Sequence, residues 1–322
     1  KALQKKNTYI GIITIEGAHV FGTGAPETDE LSKAELSEQL TQKISAVKKW
    51  KYPPFIITLS HHFWNHLAGH AKSFKRPINS LVNQNKGKNK GITEAGWQVI
   101  RELLSTNNGK RILIDTKHMS VASRKEYYDF VSNHNFINPS HKIPIIQSHA
   151  CANGYKTMDS SVKEADLILK ARKSRLFKWS INVSDEEARI IHDSEGLIGL
   201  MVDKGNLGGI DLIKEISEMK DQVKQRKAFA HLFLDNAFQL VKAVGQKSGW
   251  NMIAFGSDFD GTITHMDPYP TVAALPLFQQ DLIAFLEEKK YLQDLWFGYT
   301  PKEIVEKIFY KNAMDFYKKY FV

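Results

Sequence analysis

Polar residues placed directly after apolar runs are the first chemistry visible in this chain. Glu16 follows Ile10–Ile15, His61 follows Phe55–Ser60 and His118 lies just past Ile112–Asp115. His149 follows Ile143–Ser148, and Asp258 follows Met252–Ser257. A carboxylate and several imidazoles together suit zinc or a similar divalent ion. A carboxylate beside them with no metal partner would shuttle protons for a water whose pKa the ion lowers to near neutrality. The chemistry this points to is metal-assisted hydrolysis.

Residues so far apart in sequence can act together only if the fold gathers them. The apolar runs read as strands, and the segments between them read as helices. Leu31, Leu36, Leu40, Ile44 and Val47 mark one over 28–50. Trp97, Ile100, Leu103 and Leu104 mark another over 93–106, and further helices are expected over 123–133 and 229–244. Ser184 and Thr300 each precede an acid three residues on, the pattern of a capping box. Strands alternating with helices imply a parallel sheet, and right-handed crossovers put every strand's carboxyl end on one face. The expected fold class is therefore α/β, an α/β barrel over 1–322 as a single catalytic domain. The β-branched run before Glu16 reads as a central strand buried on both faces. The weakly periodic stretch 150–180 reads as an excursion over the barrel mouth.

Composition narrows the classes. With 322 residues, 42% of them hydrophobic and 25% charged, the chain can bury a large core. No apolar run approaches the roughly 20 residues of a membrane span. A soluble protein is expected, cytoplasmic or periplasmic, with the compartment and a homodimeric state left open. The net charge of +9 comes from lysines scattered over helix faces. The cluster of Lys72, Lys75, Arg76, Lys86, Lys88 and Lys90 lacks the aromatic residues of a single-strand binding groove, so no nucleic-acid partner is expected. Cys151 is the one cysteine, which excludes an intramolecular disulfide and a cysteine-rich zinc module. Phe21–Pro26 lacks the third glycine of a dinucleotide fingerprint. His66 and His70 lack the glutamate of a zincin helix. His62, His66 and His70 have no support as ligands, and Asn182-Val183-Ser184 reads as a helix start.

Taken together the motifs resemble the membrane dipeptidase (renal dipeptidase, peptidase M19) family of the amidohydrolase superfamily. They are Ile15-Glu16-Gly17-Ala18-His19, Leu59-Ser60-His61, Ile114-Asp115-Thr116-Lys117-His118-Met119-Ser120, Gln147-Ser148-His149, and Phe255-Gly256-Ser257-Asp258-Phe259-Asp260-Gly261. Gly91-Ile92-Thr93 and Asn182-Val183-Ser184-Asp185-Glu186 also follow in the family's order. The resemblance implies a TIM-barrel-like (β/α)8 fold that hydrolyses a dipeptide or related small amide at a one- or two-zinc centre. Glu16 would bridge the metals, with His118 and His149 as the remaining ligands of the second site. Asp258 would take the proton of the attacking water, and His61 would donate to the oxyanion. Asp258 and His61 would thus be both catalytic and substrate-binding.

Two departures bear on the expectation. The family's carboxylate-binding arginine is replaced by Ile181, with Arg172, Arg175 or Lys178 as candidate substitutes. The His-x-Asp pair of the first metal site has no counterpart before Glu16, so the first one or two β/α units are expected to be absent from this chain. The one His-x-Asp present, His265-Met266-Asp267, falls in a proline-rich loop rather than at a strand tip. The alternatives are a metal-dependent hydrolase of another amide or lactam, and a non-catalytic binding barrel.

Overall fold

The computed structural model describes residues 10–74, 81–163 and 171–321. Lys1–Asn7, Lys75 and Arg76 of the basic cluster, and 164–170 of the expected excursion lie outside them. The chain divides into two compact units, Lys1–Ile146 with Lys318–Val322, and Gln147–Tyr317. Each is described by itself.

In the first unit β1 (Thr14–Glu16) is followed by α1 (Lys33–Lys48), β2 (Ile56–Thr58), α2 (Glu94–Leu104), β3 (Leu113–Asp115), α3 (Val121–Ile137) and the first residue of β4 (Ile146–Ala150). β1 pairs with β2 and β2 with β3, both parallel, and Asp115 of β3 pairs with Ile146. Ile57, Leu59, Ile112 and Ile114 are fully buried, as parallel strands covered by helices require.

β1 departs from the expectation of a strand buried on both faces. Thr14 and Glu16 are exposed and Ile15 is half-buried, while Ile10 and Ile13 are 41% and 44% exposed. The described ladder gives β1 a neighbour on one side only, β2. Its β-branched residues therefore form strand geometry without full burial. The helix expected over 28–50 is also interrupted. A one-turn helix, Pro26–Asp29, precedes α1, which starts afresh from a Ser32–Glu35 capping box. The local hydroxyl and carboxylate satisfy the amides of a new N-terminus, and that outcompetes continuing the helix.

In the second unit come the remainder of β4, α4 (Asp185–Asp193), β5 (Leu197–Leu200), α5 (Gln222–Val244), β6 (Ile253–Phe255), α6 (Leu275–Glu288) and α7 (Pro301–Glu306). β5 pairs with β6 in parallel. The capping boxes expected at Ser184 and Thr300 both form. α5 buries Phe229, Leu232, Phe233, Leu240 and Val241, and it ends at Gly245 in a left-handed conformation at φ 75°. Its start lies seven residues before the expected one, because the lysine-rich first turns carry no apolar stripe and are anchored by Asp221. Gly199 and Gly256 are required by contact: a Cβ on either would come within 2.0 or 2.1 Å of the Ser148 carbonyl oxygen. Side-chain-free backbone at these points lets β5 and β6 close against the strand end that carries His149. Among the described residues no helix is long and apolar enough to cross a membrane.

Candidate metal centre

The first unit gathers its expected residues. At the end of β1, Glu16 Oε1 lies 3.2 Å from His118 Nε2 and 3.6 Å from His61 Nε2. The His61 and His118 rings are 4.6 Å apart, edge to face. Gly17, at φ 104°, makes this approach possible, since a Cβ there would stand 3.3 Å from His61 Cβ and 3.2 Å from His19 Nδ1.

His118 is set by the turn after β3. Asp115, fully buried, accepts a hydrogen bond from Thr58 Oγ1 at 2.7 Å and from the Lys117 amide at 3.0 Å. Thr116 donates both its amide and its hydroxyl to the Ile146 carbonyl, at 2.9 and 2.8 Å. These bonds tie β3 to its neighbours and fix the turn. His118 then follows in the left-handed region at φ 66°, a conformation costly for a residue with a Cβ.

The same turn chemistry recurs in the second unit. Asp258, just past β6, has φ 57°. Its Oδ2 lies 3.9 Å from His149 Nε2, and His149 Nδ1 is 2.8 Å from Ser148 Oγ. A hydroxyl on one ring nitrogen directs the other toward the site. The expected donors are thus brought together within each unit: Glu16, His61 and His118 in the first, His149 and Asp258 in the second.

The environment keeps His61, His62 and His118 neutral. Burial pushes His62 down to about 4, with the neighbouring His61 acting in the same direction. Burial also lowers His61 against the pull of Glu16, and it holds His118 well below the usual histidine range, reinforced by Lys117. Neutral imidazole is the form that ligates a metal.

His62 was passed over by sequence reasoning and belongs to this group. Its ring centroid is 3.9 Å from that of His61 and 4.9 Å from that of His118. The only signal was its place beside His61 at a strand end, because its partners come from a loop without periodicity. His70 is fully buried, with Nδ1 3.0 Å from the Ala71 carbonyl and Nε2 2.9 Å from that of Lys86. His265 is exposed, and Asp267 accepts from Lys204 Nζ at 2.5 Å. Ile181 is buried at 3% exposure. Of the proposed arginine substitutes, Arg172 donates to both carboxylate oxygens of Asp211 and Arg175 pairs with Asp235. Lys178 Nζ lies 4.8 Å from the centre of the Tyr155 ring.

The sequence profile of the membrane dipeptidase family, peptidase family M19, matches residues 37–300. The chain belongs to that family. No curated protein sequence matches the chain. Among solved structures, this M19 chain is similar to dipeptidase AC, a metallopeptidase of family M19, at 17% identity and a TM-score of 0.57 over 96% of this chain and 65% of that one. It is similar at 18% identity and a TM-score of 0.56 to a metallopeptidase from Rhodobacter sphaeroides bound to a phosphinate mimic of L-Ala-D-Ala, over 96% of this chain and 63% of that one. A third likeness, to an amidohydrolase from Pseudomonas aeruginosa, has 15% identity and a TM-score of 0.52 over 94% of this chain and 70% of that one. The chain spans about two thirds of the length of these structures. The expected TIM-barrel-like α/β class agrees with the membrane dipeptidase fold.

Proposed function

We propose that this chain is a zinc-dependent dipeptidase, cleaving the amide of a small peptide with a water activated at the centre formed by its strand ends. The observation that carries the reading is the meeting of Glu16 with His118 at 3.2 Å, both at strand ends of a chain of the membrane dipeptidase family. A carboxylate oxygen and a neutral imidazole are donors that zinc accepts. Glu16 and His118 would hold the ion in the first unit, and the family resemblance makes His149 a further ligand. The paired first-site ligands are not supplied by His265 and Asp267, since Asp267 is committed to Lys204.

A bound zinc would polarise the scissile carbonyl and lower the pKa of water. Asp258 would accept the water's proton and return it to the leaving amine. His149, with Nδ1 against Ser148, keeps its ring oriented beside that carboxylate. His61 would donate to the oxyanion, a role that requires a protonated ring nitrogen at the moment of attack. The left-handed backbone at Asp258 and at His118 would hold each side chain in place within its own unit.

A second reading has its own support. With Ile181 buried where the family carries its arginine and both nearby arginines paired, bidentate recognition of a free carboxylate has no evident donor among the described residues. A related amide or lactam lacking that carboxylate would then be the better substrate. Zinc-loaded protein assayed against dipeptides, including ones with D-residues at the C-terminal position, and against their C-terminal amides separates the two. Turnover of dipeptides alone supports the first reading, and preference for amides supports the second. Absence of turnover and of bound metal in the intact native protein would overturn both.

A further inference from the structure

His62 has no part in the ligand set that Glu16, His118 and His149 would form, yet its ring is held by a dedicated network. Its Nδ1 is 2.7 Å from Ser73 Oγ. Gln84, buried at 7% exposure, donates from Nε2 to that hydroxyl at 2.8 Å and to the His62 carbonyl at 2.7 Å. The Gln84 Oε1 accepts from the Ser73 and Phe74 amides at 3.3 and 3.1 Å. Phe74 stacks on the imidazole at 4.3 Å and 29°. Ser73 Oγ has two lone pairs, enough to accept both the Gln84 amide and a proton from His62 Nδ1. In that tautomer Nε2 carries the lone pair, which is the arrangement that an outer hydrogen bond imposes on a metal-ligating histidine.

One ligating atom from each of His61, His62 and His118 lies within 4.8 Å of the others. Glu16 borders two of the rings, at 3.6 Å from His61 Nε2 and 3.2 Å from His118 Nε2. We propose that His61, His62 and His118 form a metal position contained in the first unit, suited to zinc or cobalt(II), with Glu16 as the adjoining carboxylate. Three imidazoles and an open fourth place match the ligand number and softness that these ions take. Its ligands all come from one compact unit, so this position needs nothing from His149 or Asp258. His118 is common to this set and to the one proposed for catalysis, and the two positions compete for it. Filling the histidine position also withdraws His61 from the oxyanion.

The test uses the whole chain, stripped with a chelator and titrated with cobalt(II), read by its d–d absorption and by native mass spectrometry. His149→Ala serves as background, because it removes a ligand of the other set only. That variant is expected to bind one cobalt ion. Adding His62→Ala is expected to weaken the affinity at least about 100-fold, and adding Ser73→Ala, which keeps all three rings, about 10-fold. Circular dichroism of each stripped variant identifies any that does not fold, and Ser73→Ala carries the test if His62→Ala fails. Loss of all cobalt binding in His149→Ala overturns the proposal. Equal affinity with and without His62, or with and without Ser73 where only that variant folds, overturns it too. A zinc-loaded wild type that cleaves no amide sinks the dipeptidase reading but leaves the cobalt result standing.

Discussion

The strand ends of the two units are built alike and populated differently. Each places one residue in the left-handed region, His118 at φ 66° in the first and Asp258 at φ 57° in the second. Around His118 stand two more imidazoles and a carboxylate, and burial keeps those imidazoles neutral. Beside Asp258 lies the His149 imidazole, whose Nδ1 meets the Ser148 hydroxyl. On the proposed reading the first group would hold a cation, and Asp258 in the second would move a proton. On that reading strained turns after strands fix position, and the neighbours of the strained residue decide its chemistry.

The most crowded point of the first unit, His118, is where substitution should cost most. His118→Ala removes a ligand from both proposed metal positions, so zinc content by mass spectrometry should fall to background. Asp115→Ala leaves the Thr58 hydroxyl and the Lys117 amide buried without their acceptor. It should destabilise the protein by about 3 kcal/mol in denaturant melts and release the turn that sets His118.

Acid gives a sharper contrast between the units. His62 is lowered to about 4 from 6.5, so in the folded state it binds fewer protons than in the unfolded state between those pH values. Stability of the metal-free protein should therefore fall as pH drops from about 6.5 towards 4, and His62→Phe should reduce that fall in thermal melts at several pH values. Ser148→Ala, in the second unit, removes the hydroxyl on His149 Nδ1. We expect zinc affinity to drop about 10-fold, with the melting temperature little changed.

The parts of this site legible in the sequence were those whose signal is local. An apolar run ending in a polar tip reveals Glu16, His61, His118, His149 and Asp258, and a hydroxyl three residues before an acid reveals the starts of α4 and α7. What depends on distant neighbours was not legible. The exposure of Ile13 follows from which strands flank β1, and no pattern inside the run reports it. His62 owes its orientation to Ser73 and Gln84, eleven and twenty-two residues away in an aperiodic polar stretch. The first turns of α5 are polar and stand on the Asp221 cap, so periodicity finds only its buried second half.

Asp258→Asn separates the metal-holding residues from the proposed proton acceptor in a single comparison. The variant and the wild type, loaded to equal zinc content, are compared for hydrolysis of the substrate that the wild type turns over. The expected result is unchanged zinc occupancy with kcat reduced by about 10²–10⁴-fold. Equal kcat in the two proteins would contradict the role given to Asp258, and so would a loss of zinc that accounts for the whole loss of rate.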